Sequence, residues 1–244
     1  MKREEAGWGW RMAVNLCRLP LSLALIFSGF VKAIDPLGTQ YKIGDYLEAL
    51  HLEQYAPSWA TLTTSVLLSA VEFCLGVFLL FAIRRRKVSR VIVAFMAIMT
   101  AITVWLWGWE PIKDCGCFGD AIHLTNGETL LKNLLLLAMA AVVAWKPFCM
   151  VRFISKTNQW IVINYTLLFI LVSSALSLWY LPPFDFRPYH IGADIRKGME
   201  IPAGAKQPKF ETTFILEKGG VRKEFTLDNY PDSTWTFIDS KTVE

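Results

Sequence analysis

Two cysteines separated by one glycine are the residues of this 244-residue chain whose types and spacing point most clearly to chemistry. Cys115 and Cys117 lie in a polar segment between two apolar blocks. The Cα atoms of a disulfide lie ~4.4–6.8 Å apart, so bridging a Cys-x-Cys pair requires a bend, which Gly116 permits. Closing so small a ring restrains little chain entropy, and a strained bridge is easily reduced. The pattern therefore favours a redox-active dithiol.

Two other interpretations of the Cys-Gly-Cys pair stay open. Thiolates bind Cu(I) or zinc, and His123 is close enough in sequence to be recruited as a ligand. In the second interpretation, the pair forms a static disulfide that only shapes the loop. The redox interpretation is preferred because the pair is predicted to be exposed in a compartment where disulfides form. The remaining cysteines, Cys17, Cys74 and Cys149, stand singly in or beside apolar runs and are predicted to be packing residues.

Charged residues near the pair are predicted to act on it in opposite directions. Lys113 would stabilise a thiolate and lower its pKa, whereas Asp114 and Asp120 oppose that effect. Lys132, on the first turns of the following helix, would add positive charge. These four residues are therefore candidate auxiliary residues of the site.

An ionisable residue also lies in the middle of an apolar block. Glu72 would be costly at that depth, and such a residue usually faces the interior of a bundle. Its candidate partners are Arg18, Lys32 and Lys132. It either forms a buried ion pair that fixes helix packing or has a proton-relay or ligand-binding role. Glu72 and Lys32 join the candidate site.

The elements that must position these residues are apolar helices. Hydrophobic residues make up 54% of the chain and are concentrated in five blocks. About 20 apolar residues cross a bilayer, and lipid offers the backbone no hydrogen-bond partners, so each block is predicted to be a spanning helix. The blocks are Met12–Ala33, Thr61–Ile83, Val91–Trp109, Leu130–Trp145 and Trp160–Leu181. The first is too long for a signal peptide and lacks a small-x-small cleavage site after it.

The distribution of basic residues predicts the orientation of the helices. Lysines and arginines cluster before the first block, between the second and third, and between the fourth and fifth, which places these segments in the cytoplasm. The Cys-Gly-Cys loop and the C-terminus would then face the periplasm. The sequence therefore predicts a multi-pass protein of the bacterial inner (cytoplasmic) membrane with a cytoplasmic N-terminus.

Smaller elements are predicted outside the spans. Helical spacing over Tyr41–Leu50 predicts a short interfacial helix that seals the bundle. After Pro183 the composition becomes polar. Residues 212–216 and 221–227 predict a β-hairpin with a Gly-Gly turn, and residues 234–238 predict a third strand. The fold class is therefore an all-α membrane protein, with a four-helix transmembrane bundle, a fifth transmembrane helix and a small β-hairpin-containing periplasmic segment.

Several function classes are not indicated by the sequence. It contains no P-loop, no Gly-x-Ser-x-Gly and no His-Glu-x-x-His, the motifs of ATP-driven transport, serine hydrolysis and zinc proteolysis. The net charge of +4 is too small to indicate nucleic-acid binding.

Two segments and one single residue carry a resemblance to a known family. They are Gly29–Pro36 at the end of the first helix, Glu72 in the second, and Asp114–Asp120 before the fourth. With them, the chain resembles the MauE/DoxX-like family of redox-associated membrane proteins over about residues 10–146. The resemblance implies a four-helix bundle similar in outline to vitamin K epoxide reductase, with Cys115 and Cys117 as the redox pair.

The resemblance also implies a division of the chain. Residues 1–146 would form the MauE/DoxX-like domain, residues 147–183 a cytoplasmic loop and the fifth helix, and residues 184–244 a periplasmic β-rich segment, shortened relative to longer family members. MauE is associated with maturing a periplasmic enzyme rich in disulfides, and DoxX with a quinone-coupled oxidase of sulfur compounds. A membrane quinone is therefore the candidate cofactor, although the second cysteine pair of quinone-linked disulfide generators is absent.

The leading functional hypothesis is a membrane thiol–disulfide exchange protein, with a periplasmic thiol or a thioredoxin-like protein as partner. A partner thiolate would attack the Cys115–Cys117 bridge and form a mixed disulfide. One alternative is a non-enzymatic accessory or assembly subunit of a quinone-linked respiratory or sulfur-oxidising complex, docked through the C-terminal segment. Another is a Cu(I)-binding protein. The protein is expected to be surrounded by membrane lipid. Nucleic acid is not expected as a partner, and the sequence leaves open whether the protein forms a homodimer.

Overall fold

The computed structural model describes residues 7–52, 55–109, 112, 115–119, 121–122, 124–180, 184, 192–198, 211–218, 221–226, 229, 231 and 234–243. The chain divides into two compact units, Met1–Ala193 and Asp194–Glu244. The first unit is a bundle of helices and the second contains a small β-sheet.

The bundle contains five helices that are long and apolar enough to cross a membrane. The α-helices are α1 (Trp8–Ile34), α2 (Pro36–Ala49), α3 (Ser58–Leu80), α4 (Arg85–Trp109), α5 (Asn126–Trp145), α6 (Gln159–Trp179) and the short α7 (Ile195–Gly198) of the second unit. The candidate spans are α1, α3, α4, α5 and α6. The protein is therefore a multi-pass membrane protein, and the five predicted spans are confirmed.

The outer surfaces of the spans are apolar, as a bilayer requires. Large apolar side chains are exposed along them, including Val91, Ile98 and Val104 of α4 and Leu167, Leu168 and Leu171 of α6. Buried positions instead carry many small polar residues whose hydroxyl groups donate to carbonyl oxygens of their own helix. Thr100 Oγ1, for example, donates to Met96 O at 2.7 Å. Small residues at the interfaces allow membrane helices to pack closely.

Most helices extend a few residues beyond the predicted apolar blocks, and two of the boundaries that differ have local reasons. α5 begins four residues early because Thr125 and Glu128 form a capping box, in which Thr125 Oγ1 accepts from Glu128 N and the Glu128 carboxylate accepts from Thr125 N. α3 ends three residues early, at Leu80. There the chain turns towards α4 through positive φ angles of 54° at Ala82 and 40° at Arg84.

Two glycines bring α1 and α3 unusually close together. A Cβ atom at Gly29 would collide with the backbone of Phe73, and one at Gly76 would lie 2.7 Å from Ile26 N. Only glycine fits both positions, because backbone rather than a movable side chain occupies the space. The close approach of the two helices places the C-terminal half of α1 against the middle of α3.

The short helix predicted over Tyr41–Leu50 is confirmed as α2, which begins five residues earlier, and its interfacial position stays a prediction. Pro36 begins it, and the Asp35 carboxylate caps it by accepting from Gly38 N at 3.0 Å. Ser65 Oγ of α3 donates to Pro36 O at 2.7 Å, and Gln40 Nε2 donates to Ser58 O at 3.0 Å. α2 is thereby fixed against the first turns of α3.

The opposite end of the bundle, where α1 and α4 begin and α5 ends, is closed by residues 147–153. We call it the basic end. Arg18 Nη1 donates to Val151 O at 2.6 Å, and Asn15 exchanges hydrogen bonds with Cys149 O and Val151 N. Arg85 Nη1 donates to the carbonyl oxygens of residues 148 and 150, both at 2.9 Å. Side chains here satisfy backbone groups that no helix pairs.

The second unit contains a three-stranded antiparallel sheet with the order β2-β1-β3. Its strands are β1 (Glu211–Lys218), β2 (Val221–Thr226) and β3 (Thr236–Val243). The predicted hairpin and third strand are thus confirmed, although β3 begins two residues late and runs further. Gly219 and Gly220 of the predicted turn lie outside the described residues. The register between β1 and β3 shifts at Ile215/Leu216, and Leu216 is buried.

Candidate functional site: a dithiol folded into the bundle

The Cys-Gly-Cys pair lies in a tight loop, Cys115–Gly119, which we call the thiol loop. Gly116 and Gly119 adopt φ angles of 64° and 55°, a left-handed conformation that favours glycine. Gly119 N donates to Gly116 O at 3.0 Å and closes the turn. The predicted bend at Gly116 is therefore present.

The bend brings the two sulfur atoms together. Cys115 Sγ and Cys117 Sγ lie 2.9 Å apart as free thiols. A disulfide bond is ~2.04 Å long, so the sulfur atoms need to approach by about 0.9 Å to form one. The two sulfur atoms therefore lie close to the separation that a disulfide requires.

The thiol loop enters the bundle instead of standing above it. The Cys117 carbonyl oxygen lies 2.6 Å from Ser28 Oγ, and Ser28 is six residues, ~9 Å, before the end of α1. Cys115 is only 8% exposed, and Cys117 is half-buried. The prediction of an exposed pair is therefore wrong for Cys115, because the loop folds inward onto α1 and α2.

Cys115 is held by α2. Tyr46 Oη donates to Cys115 O at 2.9 Å and lies 3.3 Å from Cys115 Sγ. The single hydroxyl proton of Tyr46 is shared between these two acceptors. α2 therefore contacts both the backbone and the sulfur atom of Cys115.

Cys117 is linked to a buried ion pair through Ser28. Ser28 Oγ donates to Glu72 Oε2 at 2.8 Å as well as approaching Cys117 O. Lys32 Nζ donates to both carboxylate oxygens of Glu72, at 2.9 and 2.8 Å. Glu72 and Lys32 are only 4% and 5% exposed. A single unpaired charge would be costly at this depth, and the opposite charges of the two residues compensate each other.

The other two predicted partners of Glu72, Arg18 and Lys132, make different contacts. Arg18 is at the basic end, where its guanidinium also lies 4.8 Å from the centre of the Phe153 ring. Lys132 Nζ lies 4.0 Å above the Phe118 ring, a cation–π contact, and Phe118 packs edge-on against Phe27. Lys32 is thus the partner that the fold selects.

A small cavity of about 30 Å³ lies beneath the thiol loop, large enough for one or two water molecules. Its polar lining residues are Ser28, Glu72, Cys117, Lys132 and Asn133. Apolar residues of α1, α4 and α5 complete the wall. The cavity therefore brings Cys117, Glu72 and Lys132 to one shared space inside the bundle.

The two thiols differ in acidity. A hydrogen bond from the Cys115 thiol lowers the pKa of Cys117 to about 6, an effect that Lys132 and Lys32 reinforce and burial opposes. The same hydrogen bond, together with burial, raises the pKa of Cys115. At neutral pH the pair therefore consists of a Cys117 thiolate beside a protonated Cys115.

The structure brings Cys115, Cys117, Glu72, Lys32 and Lys132 together, as a site would require. The predicted auxiliary residues Lys113, Asp114 and Asp120, and the alternative metal ligand His123, lie outside the described residues. Within the part of the chain that is described, no group of three or more His, Cys, Asp or Glu side chains is arranged to hold a metal ion.

Sequence reasoning missed Ser28 and Tyr46. Ser28 is one turn before Lys32 on α1, so helical spacing could have placed it on the same face. Tyr46 had no such signal, because its contact with Cys115 spans 69 residues. It depends on how α2 folds back over the bundle.

A family model for methylamine utilisation protein MauE matches residues 10–146, which is more than half of the chain. The chain belongs to the MauE family. The match covers α1 to α5 and the thiol loop, and so includes every described residue of the candidate site. The MauE part of the resemblance is thereby confirmed, and the DoxX name stays a prediction.

The sheet of the second unit lies in a different match. A model for a domain of unknown function, DUF8463, matches residues 210–244, which contain all three strands. No curated protein and no solved structure matches the chain. The MauE bundle and the sheet are therefore joined in one chain as separately recognised parts.

Proposed function

We propose that this MauE-family protein is a membrane thiol–disulfide exchange protein that uses Cys115 and Cys117. The observation that supports this most directly is the 2.9 Å separation of two free sulfur atoms within a glycine-bent loop. A thiolate is the reactive form in exchange, and the surroundings of Cys117 favour it. Cys117 is also the more exposed residue of the pair, which favours it as the cysteine that forms the mixed disulfide.

The proposed location is the bacterial inner membrane, with the thiol loop facing the periplasm. The basic residues near the basic end support this orientation, because lysine and arginine are retained on the cytoplasmic side. A periplasmic thiol or a thioredoxin-like protein is then the partner. A membrane quinone is the candidate acceptor, and it would have to approach from the lipid, since the cavity of about 30 Å³ admits only water.

The proposal is tested by trapping the partner. Cys115→Ser removes the resolving thiol, so a partner attached to Cys117 should accumulate as a mixed disulfide on a non-reducing gel of native membranes. Cys117→Ser should give no adduct. Cys74→Ser, a change in a half-buried cysteine of α3, is the matched control and should behave like the parent chain.

Two results would count against exchange. If Cys115→Ser and Cys117→Ser trapped equal amounts of partner, the mixed disulfides would not depend on a specific cysteine of the pair. Thiols that stay reduced in oxidised glutathione and retain one Cu(I) per chain would favour the copper alternative.

A second candidate, an accessory or assembly subunit, is favoured by the separate sheet unit. A sheet of three short strands leaves edge groups that another protein could pair with. Here removal of residues 194–244 should impair function more than replacement of both cysteines by serine. Measuring both variants in the same complementation assay separates the two functions.

A further inference from the structure

Among the described residues, the charges around the cavity balance only when Cys117 is a thiolate. Lys132 and Glu72 line the cavity, and Lys32 is paired with Glu72 behind it, so these three residues carry two positive charges and one negative charge. Tyr46 and Lys42 of α2 contact the outer side of the thiol loop but do not line the cavity. α4 contributes apolar residues to it. Among the described residues that face Cys117 from inside the bundle, one positive charge is therefore in excess when Cys117 is uncharged.

The excess charge distinguishes the two redox states of the pair. In the disulfide, Cys117 carries no charge, so the excess remains. In the dithiol, a Cys117 thiolate neutralises it. The positive charge of Lys132 beside Cys117 therefore stabilises the thiolate of the reduced pair and has no such effect on the uncharged disulfide.

We propose that the protein is a disulfide donor, which oxidises the dithiols of partner proteins, and that Lys132 sets this direction. The inference rests on the proposed exchange function. Whatever stabilises the reduced form of a pair makes its disulfide a stronger oxidant. Lys32 contributes less to the direction, because both oxygens of Glu72 already compensate its charge.

The acidity of the thiols agrees with this direction. The pKa of Cys117 is lowered, first by the hydrogen bond from Cys115 and then by Lys132 and Lys32. A thiolate that persists at neutral pH is also a good leaving group, which speeds release of the oxidised partner.

The greater exposure of residue Cys117 than of Cys115 sets the order of events. A partner thiolate attacks the half-buried Cys117 Sγ, and the Cys115–Cys117 bond breaks. Cys115 leaves as a thiolate beside Tyr46 Oη and takes up a proton. The second partner thiolate attacks the partner sulfur of the mixed disulfide and releases Cys117 as a thiolate. The partner dithiol loses two electrons and two protons, the pair gains both electrons, Cys115 retains one proton, and the other enters water.

The test is the equilibrium of the full-length protein with glutathione in detergent, read by differential alkylation of Cys115 and Cys117. The parent pair should be reduced at glutathione ratios that leave structural disulfides intact. Lys132→Met should lower the equilibrium constant for reduction about tenfold or more, because one opposite charge shifts a thiol by about one pKa unit or more. Lys132→Arg keeps the charge and should restore most of the parent value.

The matched control removes a cation far from the site. Lys87 is exposed in the first turns of α4, ~33 Å along the helix from the end nearest the thiol loop. Lys87→Met should leave the equilibrium unchanged. A shift as large in Lys87→Met as in Lys132→Met would show a general effect of net charge and overturn the role of Lys132.

The outcomes separate the direction from the exchange itself. If the thiols never exchange with glutathione, the proposed function fails. If they exchange but the parent disulfide is as hard to reduce as a structural one, exchange stands and the direction is wrong. If the disulfide is oxidising but indifferent to both Lys132 variants, the charge argument is wrong.

Discussion

The two ends of the bundle both bury polar side chains, but they employ them differently. At the basic end, Arg18, Asn15 and Arg85 bond to the backbone of residues 148–151. At the end that carries the thiol loop, Lys32 and Ser28 both donate to the Glu72 carboxylate, while Ser28 Oγ and Tyr46 Oη also reach backbone carbonyl oxygens of the loop.

The difference separates structural from chemical use of buried charge. A carbonyl oxygen cannot change its charge, so a guanidinium bonded to it holds the chain in place and nothing more. A carboxylate, an ammonium and a thiol beside a shared cavity can each change their charge state. Variants at the basic end should therefore change stability alone. Variants at the end with the thiol loop should change both stability and thiol chemistry.

The largest expected effect is that of breaking the ion pair at the end with the thiol loop. Lys32→Met leaves Glu72 as an uncompensated buried charge and should lower the free energy of unfolding in detergent by ~3–5 kcal/mol. The double variant Lys32→Met with Glu72→Gln removes both charges and should recover most of that loss. A double variant as unstable as the single one would show that charge compensation is not the role of the pair.

Arg18→Met should have the next largest effect, and on stability alone. Arg18 is 1% exposed, and loss of its hydrogen bond to Val151 O should lower the free energy of unfolding by ~1.5–3 kcal/mol. The glutathione equilibrium of the thiols should not change. Arg152→Met, at an exposed position of the same segment, should alter stability by no more than about 0.5 kcal/mol. A changed thiol equilibrium in Arg18→Met would contradict the separation of the two ends.

Tyr46→Phe should affect the thiol loop modestly and locally. Loss of the hydroxyl removes its bonds to Cys115 and should lower the free energy of unfolding by ~0.5–1.5 kcal/mol. Alkylation of Cys115 should become faster, because α2 no longer holds that residue. Tyr41→Phe changes an exposed tyrosine of the same helix and should have neither effect. Unchanged Cys115 alkylation in Tyr46→Phe would show that α2 does not limit access.

The pH dependence of alkylation examines the thiol loop without any substitution. Because the pKa of Cys117 is lowered to about 6, its thiolate persists above that pH and is lost as the pH falls through 6. The rate of its modification by iodoacetamide should therefore rise with a midpoint near pH 6, against about 8.5 for a free thiol. Mass spectrometry assigns the modified cysteine. A midpoint near pH 8.5 for Cys117 would contradict the difference in acidity between the two thiols.

The sequence alone determined the spans and the residue types of the site. Four apolar runs are long enough to cross a bilayer and the fifth is long enough with its polar first turn, while an acidic residue within one of them must face a partner. It also predicted a bent Cys-Gly-Cys pair, since glycine takes the left-handed conformation that Gly116 adopts at the lowest cost. These are local properties, set by composition and neighbouring residues. The roles predicted for Lys113, Asp114 and Asp120 stay predictions.

Only the tertiary structure decided which of three cations pairs with Glu72, which sulfur is buried, and that Ser28 and Tyr46 belong to the site. These facts follow from contacts between residues 40 to 89 positions apart in sequence. Gly29 and Gly76 bring α1 and α3 close enough to join Lys32 to Glu72, and the inward fold of the thiol loop does the rest. Sequence spacing cannot report such distances, because they depend on how closely separate helices pack and not on the pattern within any one of them.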